Sequence, residues 1–186
     1  MTTQTVTTLL TAEEFYQLPE PLDGSRRELV KGEVVTMSPP GFYHCVVCSR
    51  VDQVLGAYVY QNKLGYTACN DPGVIVERDP DTVRGPDVAY WERTRVTNVM
   101  NLGYTDIATD LVVEVLSPHD VFTKVLRKVE EYFTAGVRLV WIVVPEDQSV
   151  AIYRPGQKPT VLNVNDTLTG ENVVVGFTCP VASLFP

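Results

Sequence analysis

One carboxylate stands inside the run Leu111-Val112-Val113-Glu114-Val115-Leu116, where every neighbour is apolar. Such a run fits a central strand buried on both faces, and an ionised glutamate there is costly unless a cation or hydrogen-bond donors compensate it. A structural salt bridge would meet that need as well as a functional site would, so the company of Glu114 has to decide. Asp87 follows Gly85-Pro86 and leads into Val88-Ala89-Tyr90, where a carboxylate can protrude from a strand end into a cleft. An ordinary turn aspartate would occupy the same position. Two carboxylates on neighbouring strands, with a backbone carbonyl such as that of Val115, make the hard oxygen cage that Mg²⁺ prefers, with Mn²⁺ as a substitute. The chemistry of such a cage is activation of a water and neutralisation of charge on a scissile phosphate.

That chemistry also needs a fixed cation. On a helix through Lys128, this lysine lies roughly 100° from the centre of the apolar stripe and Lys124 roughly 140°. Lys128 is therefore the one nearer the protein, able to run its stem along the core and aim its ammonium at a neighbouring strand. A solvated lysine paired with Glu130 or Glu131 is the plainer alternative.

The elements that must position these groups follow from pattern. Thr11 and Glu14 read as a capping box opening a short helix with Phe15, Tyr16 and Leu18, stopped before Pro19. The stretch from Arg27 to Val35 reads as a hairpin turned at Lys31-Gly32, with Glu28 on its first strand. From Phe42 to Gln61 the apolar residues Val47, Val51, Val54, Leu55 and Tyr58 recur at helical spacing, with His44 on or beside the stripe. Strands are expected at Tyr66 to Cys69, Val74 to Glu77 and Val88 to Trp91, forming a meander of neighbours. Arg93 to Thr109 lacks a period and reads as a surface excursion. A helix from Phe122 ends near Ala135-Gly136, and Val137 to Val144 is a second buried strand. Strand, helix and strand in that order predict a right-handed crossover with two parallel strands. Val150 to Tyr153, Thr160 to Asn163 and Val173 to Val175 are β-prone and predict a closing antiparallel extension.

Composition bounds what the site can serve. A chain of 186 residues, 45% hydrophobic, with no linker-like stretch, predicts one domain over 1–186. No apolar run is long enough for a bilayer and no signal peptide is visible at the start, which places the protein in the cytoplasm, away from membranes. Fifteen basic against 23 acidic residues give a net charge of -8, which repels a polyanion unless basic groups gather on one face. Arg84, Arg93, Arg95 and Arg127 are scattered candidates for such a face.

The segments Arg84-Gly85-Pro86-Asp87-Val88-Ala89, Asp110 through Pro118, Lys128-Val129-Glu130-Glu131-Tyr132 and Gly136-Val137 together resemble the Uma-type restriction endonuclease family (DUF820-like), of the PD-(D/E)XK nuclease superfamily. Arg27 through Glu33, Met37-Ser38-Pro39-Pro40 and His44 also fit its pattern, so the resemblance spans nearly the whole chain. It implies a mixed α/β, restriction endonuclease-like core: a mixed central sheet flanked by helices, with an N-terminal hairpin and C-terminal antiparallel strands. It implies Asp87 and Glu114 as paired metal ligands, Glu28 as an auxiliary acid, and nucleic acid, DNA first, as substrate. The superfamily's basic pattern places a lysine two residues after the glutamate, and that position here is Leu116. In branches where the lysine has moved to the following helix, Lys128 is the matching position, with Lys124 in reserve. His44, Lys124 and Tyr132 are expected beside the site.

Cysteine and histidine add little at this level. Cys45, Cys48, Cys69 and Cys179 are unevenly spaced, and reduced, mostly buried thiols are expected. Neither zinc binding nor disulfide cycling is expected of Cys45 and Cys48, since no second closely spaced pair exists. His44 and His119 build no Ser-His-Asp arrangement. Three readings therefore stand: a Mg²⁺-dependent endonuclease, a nuclease-like module that binds a protein or nucleic acid without cutting, and an enzyme for a smaller phosphate ester. Cutting both strands of a duplex further predicts a two-fold homodimer.

Overall fold

The computed structural model describes residues 9–96, 98–100, 103–118 and 120–186. The chain opens with α1 (Ala12–Tyr16), where Thr11 Oγ1 accepts from the Glu14 amide and Glu14 returns a carboxylate to the Thr11 amide, the reciprocal cap the sequence predicts. The hairpin is β1 (Arg26–Val30) with β2 (Glu33–Met37), turned through Lys31 and Gly32, both at positive φ. Gly32 takes that conformation without the strain a Cβ would bring. Then come α2 (Phe42–Gln61), β3 (Gly65–Cys69), β4 (Val74–Glu77), β5 (Thr82–Arg84), β6 (Val88–Glu92), β7 (Leu111–Val115), α3 (Phe122–Thr134), β8 (Leu139–Val144) and β9 (Ser149–Tyr153). The short strands β10 (Thr160–Leu162), β11 (Thr167–Thr169) and β12 (Thr178–Pro180) and a 3₁₀ turn at Val181–Leu184 complete the chain.

Among the described residues the central sheet has the order β10-β9-β8-β7-β6-β3, with β7 and β8 parallel and every other pair antiparallel. The parallel pair joined by α3 is the crossover the sequence predicts. Alternation along β7 divides its side chains between two cores. Leu111, Val113 and Val115 pack on the side of α2, and Val112 on the side of α3 with Val125, Val129 and Tyr132. Glu114 shares the face of Val112, so it must meet α3.

A second sheet, β2-β1-β5-β4, stands beside the first. It corrects the expected meander: β3 and β6 do pair, but β4 belongs with β5 in the other sheet. A three-residue strand next to Gly85-Pro86 carries too little pattern to be read, and without β5 the second sheet cannot be inferred. Val173 to Val175 is also not a strand. Val173 and Val174 both donate to the Gly170 carbonyl, closing a turn that buries them against Phe177, and the strand pair at this end is β11 with β12. The excursion from Arg93 to Thr109 is irregular where it is described, and Thr105 bridges Val74. His119 lies outside the described residues. No described helix is long and apolar enough to cross a membrane.

Candidate active site

The two sheets and the helices α2 and α3 meet at a cleft of about 390 Å³ whose walls carry Glu28, His44, Asp87, Glu114, Lys124 and Lys128. The cleft thus gathers residues from five separate stretches of chain. Val115 lines it as well.

Each carboxylate arrives by a different route. Glu28 is on β1, alternating with Leu29, which packs against α1, so the carboxylate turns the other way and is 2% exposed. Its Oε2 accepts from Arg84 at 2.7 Å, and its Oε1 accepts from Lys128 Nζ at 2.8 Å and from the Gly85 amide at 3.3 Å. Burial alone would raise its pKa, but the Lys128 and Arg84 cations outweigh burial and hold it below the ordinary value.

Asp87 lies just before β6. Its Oδ2 accepts from the Val115 amide at 2.7 Å, and its Oδ1 faces His44 Nε2 at 3.1 Å and Arg26 at 3.3 Å. Burial pushes Asp87 up, yet the His44 contact, the Val115 amide and Arg26 prevail and keep it ionised below its usual range. The same contact raises His44 against the opposing effect of burial. The other ring nitrogen, Nδ1, faces Ser117 Oγ at 3.2 Å. Gly85 lets the Asp71 segment close in, since a Cβ there would sit 2.9 Å from that of Asp71, and Arg26 bridges the two aspartates.

Glu114 is the least satisfied of the three. Tyr132 donates to Oε1 at 2.6 Å, but the Lys128 ammonium stands 3.7 Å from Oε2. Burial, with further repulsion from Asp87 and Glu28, overrides Lys128 and Tyr132 and pushes Glu114 up to about 7. Burial works against the Lys128 cation, but Glu114 and Glu28 hold it firmly charged.

The structure therefore brings together the residues the sequence assigns to the site. Glu28, Asp87, Glu114 and Lys128 share one cleft, Tyr132 touches Glu114, His44 touches Asp87, and the exposed Lys124 lines the same opening. Lys128 pairs with Glu28 from the far sheet, while Glu131 pairs with Arg84. Arg84 is a correction: it is no part of an exposed basic face, being 7% exposed and locked between Glu28 and Glu131. Ser117, Arg26 and Asp71 are contributors that spacing does not reveal. The cysteines are free, but Cys45 and Cys69 are exposed, so the thiols are not mostly buried.

The family model Uma2, described as "Putative restriction endonuclease", matches residues 12–182. A solved structure described as "a putative nuclease belonging to DUF820 from Anabaena variabilis" superimposes with a TM-score of 0.78 at 23% identity, covering 95% of this chain and 97% of that one. At that identity the likeness establishes the fold. No curated protein matches the chain.

Proposed function

The chain belongs to the Uma2 family, and from that premise we propose that residues 1–186 form one endonuclease domain hydrolysing nucleic-acid phosphodiester bonds, DNA first, by Mg²⁺-assisted attack of water. The observation that carries this reading is the partial compensation of Glu114: a mostly buried carboxylate facing a cleft, with only a hydroxyl in contact and its lysine at 3.7 Å. That deficit of positive charge, beside the ionised Asp87, fits a hard divalent cation. Asp87, Glu114 and the carbonyl of Val115 would hold Mg²⁺, with Mn²⁺ as a substitute. When bound, the ion supplies Lewis acidity that eases deprotonation of water and offsets phosphate charge.

The chain's own side chains do the rest. Glu28 holds the Lys128 ammonium beside Glu114, where it can orient a water and stabilise charge developing on the phosphate. The Val115 amide and His44 fix the Asp87 carboxylate. Arg26, Arg84, Lys124, Arg127 and Lys128 equal in number the acidic residues lining the cleft, so the acidic excess of the chain lies elsewhere. Bound divalent cations then make the cleft the attractive region for a polyanion. A two-fold homodimer acting in the cytoplasm would place one such cleft on each strand of a duplex.

The net charge of -8 favours one competing reading, a nuclease-like module that binds without cutting. Purified protein is to be assayed with Mg²⁺ or Mn²⁺ on plasmid, single-stranded DNA and RNA, beside Asp87→Ala, Glu114→Ala and Lys128→Ala. The expected outcome is metal-dependent cutting that falls by at least ~100-fold in each variant. No cutting by folded protein under any of these conditions overturns the endonuclease reading and favours the binding module, and cutting that survives Lys128→Ala moves the lysine role to Lys124.

A further inference from the structure

On the α2 side of Asp87 a second set of donors converges. His44 and Cys48 stand four residues apart on α2 and so share one helix face. With Asp87 they bring a ring nitrogen, a thiol sulfur and a carboxylate oxygen within 4.8 Å of one another. A separate cavity of about 360 Å³ opens onto all three. In its walls two buried polar atoms, Arg26 Nε and Asp52 Oδ1, have no hydrogen-bond partner among the described residues. The Cys48 thiol likewise has no hydrogen-bond partner among the described residues.

We propose that His44, Cys48 and Asp87 form a binding site for a thiophilic divalent cation of the Zn²⁺ class, distinct from the oxygen cage of Asp87, Glu114 and Val115. Nitrogen, sulfur and oxygen donors select zinc over magnesium, because thiolate and imidazole are soft to borderline ligands and Mg²⁺ demands oxygen. Three protein donors with a cavity in front match the tetrahedral habit of zinc, the fourth position going to a water from the cavity. Ser117 prepares the imidazole. In the metal-free protein Nε2 donates to Asp87; a bound ion would take the place of that proton, while Nδ1–H donates to Ser117 Oγ and fixes the ring in the tautomer a metal needs. Binding displaces the His44 to Asp87 contact and releases the Cys48 proton. Arg26, which also faces Asp87 Oδ1, keeps its 2.9 Å pair with Asp71.

Both sites claim Asp87, so occupation of one opposes occupation of the other. A Zn²⁺ ion here draws away the carboxylate that the oxygen cage requires and adds like charge beside it. Zinc is then an inhibitor of cleavage acting through Cys48. This consequence rests on the nuclease reading; the cation site itself does not.

Co²⁺ is the probe for the site, since a cobalt–thiolate bond gives a near-ultraviolet charge-transfer band that oxygen ligands do not. Metal-free protein titrated with Co²⁺ should develop this band at one equivalent and lose it when Zn²⁺ is added. Cys48→Ser should abolish the band, Cys48→Ala should do the same if the serine variant folds poorly, and Cys45→Ser should keep it. No band in the folded wild-type protein, or a band that survives both Cys48 variants, overturns the site. In the cleavage assay the ratio of activity with Zn²⁺ to activity without it should rise at least ~10-fold in Cys48→Ser. A cobalt band with no zinc inhibition of an active enzyme overturns the competition, whereas a cobalt band in a protein that never cuts defeats the nuclease reading and leaves the site standing.

Discussion

Glu28, buried, and Glu114, mostly buried, are two glutamates that share one lysine and are driven in opposite directions. Glu28, in the smaller sheet, has Arg84 and Lys128 at hydrogen-bond distance and an amide behind it, and is held below the ordinary glutamate value. Glu114, in the central sheet, has a tyrosine hydroxyl and a lysine out of hydrogen-bond reach, and is pushed up to about 7. The difference separates two uses of the same residue type. A carboxylate whose oxygens are engaged by fixed cations is finished, and it serves to hold those cations in place. One left short of positive charge has room for an ion that arrives from solution.

The sharpest way to break this comparison is a pair of isosteric substitutions. Glu28→Gln leaves the buried Arg84 and the half-buried Lys128 facing a neutral amide, and removing one partner of a buried pair typically costs about 3–5 kcal/mol. Arg84 keeps Glu131, so the expected loss lies near the lower end, about 3 kcal/mol, in urea unfolding at neutral pH. Glu114→Gln should instead stabilise the metal-free protein at neutral pH, by up to about 3 kcal/mol, because a neutral amide escapes the cost of ionising a carboxyl whose burial pushes it up to about 7. Equal losses from the two variants would mean that both glutamates serve stability alone.

A smaller effect separates the two by pH. Native Glu114 binds its proton more tightly than the unfolded chain does, so between the ordinary value of 4.5 and about 7 the folded state carries more protons. Stability of the metal-free protein should therefore fall as pH rises through that window, and Glu114→Gln should flatten the fall. At ~1.4 kcal/mol per pH unit, the ceiling is on the order of 3 kcal/mol. The contribution of Glu28 has the opposite sign. It is present above 4.5 and lost as pH falls through its lowered native value, so the two limbs occupy different ranges. Urea midpoints from mildly acidic to neutral pH in chelator check this, and a slope unchanged by Glu114→Gln would remove Glu114 as its source.

How much of this contrast the sequence discloses depends on how local each cause is. Glu114 stands out because the violation is contained in six residues, a charge in an apolar run, and the bounds of α2 and α3 follow from their own periodicity. Lys128 is placed by helix geometry, one turn before Tyr132. The state of Glu28 was not legible, because it depends on Arg84, 56 positions away, and Lys128, 100 positions away. Arg84 itself sits on a strand of three residues, too short for a pattern, so its burial is a property of the assembled sheets. Cys48 shows the same limit: its i,i+4 partner His44 can be read from spacing, whereas Asp87 comes from another element altogether. Runs such as Val173 to Val175 fail for a further reason, in that β-branched residues fill a buried turn as readily as a strand once neighbouring glycines permit close approach.

The smallest expected effect is also the most specific. Tyr132 is fully buried and donates to Glu114 at 2.6 Å, a contact that favours the charged carboxylate. Tyr132→Phe keeps the ring in the core and removes only that donor, so the loss of stability should be about 1 kcal/mol. The Glu114 carboxyl should then ionise still less readily, and the Mg²⁺ concentration for half-maximal cleavage should rise about 10-fold below neutral pH. Raising the pH restores the ionised form without the tyrosine, so the deficit should shrink under alkaline conditions. Cleavage titrated with Mg²⁺ at about pH 6 and about pH 8 decides this. A deficit equal at both values would mean that Tyr132 acts on the shape of the cleft, and not on the charge that Glu114 holds ready for a cation.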